Sequence, residues 1–155
     1  MGTRSLTRVI ETYQDTGSGK KVSQTIVTMY RQFDGYPSGM CADLVEFLKG
    51  SKVVNGLGVD EMKSNRVFNG AGCLAAQLVA YFKDGAGGIY LYPNTIKDCG
   101  QEYEYEIIVD FDTKNVLLKC VEIGYINKKG EYKNGRKVLF IGKPELFEQL
   151  LAEQE

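Results

Sequence analysis

The stretch Tyr103-Glu104-Tyr105-Glu106-Ile107-Ile108-Val109-Asp110-Phe111 constrains the fold more than any other part of this chain. Tyr103, Tyr105, Ile107, Val109 and Phe111 occupy every second position, and most residues between them are acidic. Successive strand side chains point to opposite faces, so a period of two predicts a strand with one packed and one wet face. Glu102, Glu104, Glu106 and Asp110 then form a solvated row, spaced about 7 Å apart along a line and poorly arranged to surround a metal ion.

The chain on either side extends this pattern. Asp112-Thr113-Lys114-Asn115 turns it into Val116 to Tyr125, and Lys128-Lys129-Gly130 turns it again before Lys137 to Ile141, which predicts an antiparallel meander. Near the start, Thr3 to Tyr13 and Val22 to Gln32 are rich in Thr, Val, Ile and Tyr and flank Asp15-Thr16-Gly17-Ser18-Gly19-Lys20, which predicts a hairpin. Met40, Cys41, Leu44, Val45, Phe47 and Leu48 share one face of a helix that ends at Gly50. A second helix runs from about Gly70 through Leu74, Leu78, Tyr81 and Phe82 to the Gly85-Ala86-Gly87-Gly88 cluster, and Ile89 to Tyr92 begins a strand. Pro144 opens a last helix carrying Leu146, Phe147, Leu150 and Leu151, where its missing N–H costs nothing. Ser51 to Phe68 reads as an irregular connection. The expectation is an α+β fold, with a mostly antiparallel sheet made of an N-terminal hairpin and a C-terminal meander, and about three helices. With 155 residues and no repeat or linker, one domain spans 1–155.

Composition narrows the chemistry. Lys plus Arg number 19 against 20 acids, so the basic field of a general nucleic-acid binder is missing. The basic residues Lys128, Lys129, Lys133, Arg136 and Lys137 gather at one hairpin and read as a solvated turn. The chain has no histidine, which removes the commonest general base, the commonest metal ligand and every Ser-His or Cys-His pair. Cys41, Cys73, Cys99 and Cys120 never form a Cys-x-x-Cys pair, so a zinc site is not expected and the thiols read as reduced packing residues. No metal, cofactor or catalytic residue is assigned, and binding is expected rather than turnover. Without a signal-like opening or a run of about 18 apolar residues, the expected location is the cytoplasm, away from membranes.

Two glycine-containing turns precede helices: Asp34-Gly35-Tyr36-Pro37-Ser38-Gly39 and Asn69-Gly70-Ala71-Gly72. Exposed N–H groups at a helix N-terminus attract anions, so Gly35, Ser38, Gly39, Asn69, Gly70 and Gly72 are candidate phosphate contacts, and two such ends facing one cleft would hold two phosphates. The competing reading is that the glycines only make tight turns and that Ser38 or Asn69 caps its own helix. The segment before the first turn is dense in ligand-like side chains. Arg31 is suited to grip a phosphate, Tyr30, Phe33 or Tyr36 to stack on a base, and Gln32 or Asp34 to read polar edges. Arg4 lies on the strand expected to pair with this one, so Arg4 and Arg31 are expected near each other, with an anion, Asp34 or Asp43 offsetting their charge.

Met1-Gly2-Thr3-Arg4-Ser5-Leu6-Thr7 and Tyr30-Arg31-Gln32-Phe33-Asp34-Gly35-Tyr36-Pro37-Ser38-Gly39 resemble a family of small phage and bacterial proteins without an assigned activity. The resemblance covers about the first fifty residues. Members often carry a histidine shortly after Gly-Tyr-Pro, where Met40 stands here. The phage association implies, by analogy of class, a counter-defence protein that sequesters a nucleotide or cyclic nucleotide immune signal in the host cytoplasm. The partner expected is therefore a phosphorylated small molecule, held by a homo-oligomer. The alternatives are an inhibitor that binds a host protein directly and a nucleotide-modifying lyase or transferase.

Overall fold

A computed structural model describes residues 2–153. Its elements run β1 (Ser5–Gln14), β2 (Lys21–Arg31), a π-helical turn (Pro37–Cys41), α1 (Ala42–Leu48), β3 (Lys52–Val54), a 3-10 turn (Val59–Glu61), β4 (Val67–Asn69), α2 (Gly70–Phe82), β5 (Ile89–Tyr92), β6 (Tyr103–Asp110), β7 (Val116–Ile126), β8 (Tyr132–Gly142) and α3 (Pro144–Glu153). The fold is α+β: three α-helices and a six-stranded sheet in the order β5-β2-β1-β6-β7-β8. Every neighbouring pair in it is antiparallel except β1 and β6, which run parallel at the centre.

The N-terminal hairpin and the C-terminal meander form as the alternation predicts, and the parallel β1–β6 seam joins them. That seam pairs Ser5 with Tyr103 and Thr12 with Asp110, residues too far apart in the chain for local pattern to connect. Ser51 to Phe68, expected to be irregular, contains the short parallel pair β3–β4.

The period of two in β6 has its expected result on one face. Tyr105, Ile107 and Val109 are buried together with Val9, Met29, Leu118 and Cys120, beneath Leu44, Phe47 and Leu48 of α1 and Leu74 and Leu78 of α2. Phe147 of α3 packs edge-on against Phe140 of β8, with ring centroids 3.8 Å apart. The Tyr105 hydroxyl donates to the Gly35 carbonyl at 2.8 Å, which ties the turn after β2 to the core.

The opposite face is not the wet surface that the alternation predicts. Leu6 is fully buried there and Glu104 is only 2% exposed, because the segment from Pro93 to Gln101 folds over the middle of the sheet. Asn94 Nδ2 donates to the Thr25 carbonyl, Ile96 supplies a carbonyl to Arg8, and Gln101 Nε2 donates to Glu104. Of the acids expected to be solvated, Glu104 is thus a buried ion, while Glu106 lies 3.7 Å from Lys119 and Asp110 pairs with Lys21. Glu102 accepts the Arg4 backbone N–H at 3.2 Å. Among the described residues, no helix is long and apolar enough to cross a membrane.

Candidate functional site

Arg31 and Arg4 do not converge. Arg31 pairs with Ser5 in the β1–β2 register, and its side chain lies on the helical face of the sheet. There Nη1 donates to Asp43 Oδ2 at 2.9 Å and approaches Met40 Sδ at 3.1 Å, while the guanidinium stands 5.2 Å from the Phe33 ring centroid and 5.6 Å from that of Phe82. Asp43, one of the two acids the sequence offered, neutralises it. With its side chain 12% exposed, Arg31 is a packed ion-pair residue rather than an open anion clamp.

Arg4 lies on the other face. A Cβ on Gly100 would stand 2.9 Å from Arg4 Nη1, so the guanidinium rests directly against this glycine. Arg4 Nε is buried without a hydrogen-bond partner, and the Arg4 side chain forms no ion pair among the described residues. Tyr30 lies in the same region: burial raises its hydroxyl pKa, and the Arg4 charge pulls it part of the way back. The Tyr30 ring stacks on Tyr92 at 5.1 Å and leans on Tyr90 at 6.1 Å, so as a buried core residue it has no free face for a base.

The two glycine turns also fail to share a cleft. The first lies beside Ser5 at the start of β1. The second borders a 250 Å³ hollow with Glu11, Val109 and Lys114, about six residues or roughly 20 Å further along the strand. In the first turn the donors are used internally: the Gly35 N–H bonds the Thr3 carbonyl, and those of Gly39 and Met40 bond the Tyr36 carbonyl. Its glycines are there for close packing, since a Cβ at Gly35 would stand 2.8 Å from the Arg4 carbonyl carbon and one at Gly39 2.5 Å from the Asp34 oxygen. Neither Ser38 nor Asn69 caps its helix; Asn69 Oδ1 instead accepts the Gly56 N–H at 2.8 Å. Gly70 holds a φ of +83° and Gly72 faces open space, so the α2 end is open but has no second feature pointing to an anion.

The remaining expected residues spread over the surface. Gln32 is exposed and its backbone N–H bonds Gly88, while Phe33 is 45% exposed beneath Arg31. Asp34, at φ +53°, accepts the Tyr36 hydroxyl at 3.1 Å, and this bond raises the Tyr36 pKa. Tyr36 lines a 590 Å³ cleft with Thr3, Glu102, Tyr103, Glu122 and Tyr132, and Ser38 borders the neighbouring 440 Å³ cleft with Tyr103 and Phe140. The Tyr103 hydroxyl is raised by burial first and then by the Glu122 carboxylate.

The strongest electrostatic arrangement escaped the sequence reading. Glu104 takes Arg8 on one carboxylate oxygen and Arg136 on the other, with Gln101 Nε2 at 3.4 Å. Burial alone would raise its pKa, but the hydrogen bonds and charges of Arg136 and Arg8 outweigh this and hold it below the ordinary value. Beside it lies a 390 Å³ cavity lined by Lys97, Asp98, Gly100, Gln101, Glu102, Glu104, Tyr132 and Arg136, among others. Arg8, a charge within the Val- and Ile-rich first strand, was the one sequence signal that this face carries charge.

Among the described residues, no group of three or more Cys, Asp or Glu is placed to hold a metal ion. Burial raises the thiol pKa values of Cys41 and Cys120, the latter to about 12, so neither thiol is a ready nucleophile.

Fold and site together define an α+β domain with helices packed on one sheet face and, on the other, a loop-lined cavity with the Arg136 guanidinium in its wall and those of Arg4 and Arg8 against its lining residues Gly100 and Glu104. Compared with protein-family models, curated proteins and solved structures, the chain gives no match.

Proposed function

We propose that this protein binds a phosphorylated small molecule, a nucleotide or cyclic nucleotide signal, and holds it without turnover at the cavity beneath the Pro93–Gln101 segment. The carrying observation is a pair of cations without acid partners among the described residues: Lys97 in the cavity wall and Arg4 directly behind Gly100. Four cations, Arg4, Arg8, Lys97 and Arg136, surround three acids there. Asp98 accepts the Gly100 N–H, Glu102 accepts the Arg4 N–H, and Glu104 is shared by two arginines, which leaves Arg4 and Lys97 for an incoming anion. A volume of 390 Å³ lies within the usual range for small-ligand sites, about 300–1,000 Å³.

Holding without turnover is supported by the residues at hand. The chain has no histidine, and Glu104, held low by its guanidiniums, is too weak a base for proton abstraction near neutral pH. The resemblance of the N-terminal motifs to phage proteins supports sequestration of a host immune signal as the biological setting.

The test is native mass spectrometry of protein purified from cells, heat release of any retained molecule, and thermal shift of the stripped protein with a nucleotide panel. Arg4→Ala and Lys97→Ala are expected to lose both the retained mass and the shift, whereas Lys49→Ala, far from the cavity, keeps them. An empty protein that no nucleotide stabilises would sink the proposal, and ligand converted to product would make the protein an enzyme.

A second reading, a direct inhibitor of a host protein, rests on the 590 Å³ cleft in which Glu102 and Glu122 stand with Tyr36, Tyr103 and Tyr132. Carboxylates among aromatic rings suit a lysine or arginine of a partner. On that reading Glu122→Lys abolishes partner capture and leaves the small-molecule mass unchanged.

A further inference from the structure

The cavity that holds Lys97 and the cleft that holds three tyrosines are parts of one groove. Glu102, Ile123 and Tyr132 border both, with the 390 Å³ cavity on one side and the 590 Å³ cleft on the other. The junction forms where the pairing of β7 with β8 shifts between Ile123 and Tyr125. Gly124 holds a φ of +71° there, and a Cβ on it would meet the Tyr132 hydroxyl and ring, so this tyrosine lies against β7 where the two spaces meet. Charge is sorted along the groove. Lys97 and Arg136 line the cavity, whose acids Asp98 and Glu104 are engaged by the Gly100 N–H and by Arg8 and Arg136. Glu122 lines the cleft, where the rings of Tyr36 and Tyr132 are exposed, and Glu102 stands between the two ends.

We propose that this groove holds a guanine nucleotide, with phosphate in the cavity, the base in the cleft, and Glu122 as the residue that reads guanine. The inference rests on the nucleotide reading above and names its base. Phosphate is drawn to Lys97 and Arg136 and repelled by Glu122, so charge sets the direction in which the ligand lies and leaves the uncharged base for the cleft. Tyr36 and Tyr132 offer the base exposed ring faces. Glu102, at the junction where the sugar falls, is placed to accept a ribose hydroxyl, as a carboxylate does in dinucleotide sites.

The choice of base follows from the carboxylate. An ionised glutamate accepts hydrogen bonds and donates none. Among the four common bases, guanine alone presents two adjacent donors on its Watson–Crick edge, the N1–H and the N2 amino group, which match the two oxygens of a carboxylate. Adenine and cytosine set a ring-nitrogen acceptor beside one amino donor, and uracil flanks its single N–H with two carbonyls, so each turns a lone pair towards the carboxylate. Glu122 stands beside the Tyr103 hydroxyl and opposite Lys137 in the β7–β8 register. The roughly four lone-pair sites of a carboxylate accommodate these neighbours together with a base.

Isothermal titration calorimetry of the ligand-stripped full chain tests this with guanine and adenine ligands in pairs: the 5′-monophosphates, the 3′,5′-cyclic monophosphates and the cyclic dinucleotides. In whichever pair binds, the guanine member is expected to bind about tenfold or more tightly, the discrimination typical of a bidentate contact to a base. The inosine analogue of that ligand keeps N1–H, lacks the amino group, and is expected to fall between the two. Glu122→Gln keeps the size of the side chain and removes one acceptor, so it is expected to abolish the preference while adenine binding remains. The inosine comparison needs no variant and decides the matter if Glu122→Gln does not fold. Equal affinity for guanine and adenine ligands, an inosine analogue as tight as guanine, or a preference that survives Glu122→Gln would overturn the assignment of the base and leave the nucleotide reading standing. A chain that binds none of these ligands would overturn both.

Discussion

Arg31 and Asp43 form an ion pair at 2.9 Å on the helical face of the sheet, beyond which Arg4 approaches Gly100 on the other face. One strand therefore sends its arginine into packing while its neighbour sends one towards a cavity. Arg31→Ala is expected to destabilise the fold by about 1–2 kcal/mol in urea denaturation, through lost contact with Met40 and Phe82 as much as lost charge. Asp43→Asn should cost less than about 1 kcal/mol, because that carboxylate is half in solvent and the pair is partly screened. Equal and large losses from both changes would contradict this division.

Glu104 is the charge whose loss should matter most. Removing it leaves Arg8 without its carboxylate beneath the Pro93–Gln101 segment, and breaking a buried pair from one side typically costs about 3–5 kcal/mol. Glu104→Gln should therefore lower the thermal midpoint far more than Glu106→Gln, whose partner Lys119 stands 3.7 Å away near the surface. Equal midpoints would show that Glu104 contributes nothing special.

Acid should unfold the protein through the same groups. Glu104 is held below its ordinary value and Asp110 is lowered to about 2, the latter first by the Lys21 bond and then by the Thr113 N–H. A lowered folded-state value means that the stabilisation is complete above the unfolded carboxylate range of about 4 and is lost as pH falls through the folded values. Stability should fall between about pH 4 and pH 2, and Asp110→Asn should flatten the lower part of that curve relative to wild type.

Two glycines on the expected phosphate turns should respond in opposite ways to alanine. Gly35→Ala drives a Cβ to 2.8 Å from the Arg4 backbone and 2.9 Å from Ser5 Cβ, a clash expected to cost about 1–3 kcal/mol. Gly72→Ala adds a methyl group in open space inside α2 and should stabilise by about 0.5–1 kcal/mol through helix propensity. Thermal melts of the two variants check both signs.

Thr7 offers a stabilising change in the core. Its Oγ1 is buried with no hydrogen-bond partner among the described residues, and an unsatisfied buried hydroxyl costs about 1–3 kcal/mol. Thr7→Val keeps the shape and removes the polar atom, so it should raise the thermal midpoint; a lowered midpoint would mean that the hydroxyl makes a bond of its own.

Local pattern by itself determined which segments become strands and helices. The alternation in Tyr103 to Phe111, the turn residues at Asp15–Lys20 and Asp112–Asn115, the glycine cluster after Phe82 and Pro144 act over a few residues, and backbone sterics and side-chain periodicity at that range need no knowledge of the rest of the chain. Which face of a strand is wet was decided only by tertiary structure. Period two separates two faces but does not say what covers each, and the Pro93–Gln101 segment, pinned by Asn94, Ile96 and Gln101, turns the acidic side of β6 into a buried ion cluster. The parallel meeting of β1 with β6 likewise brings Arg8 to Glu104 across 96 residues of sequence. The same long-range geometry separates Arg4 from Arg31, because adjacent residues in paired strands alternate between faces: proximity in sequence pattern suggested one anion site, and the pleat of the sheet divided its two arginines between opposite sides.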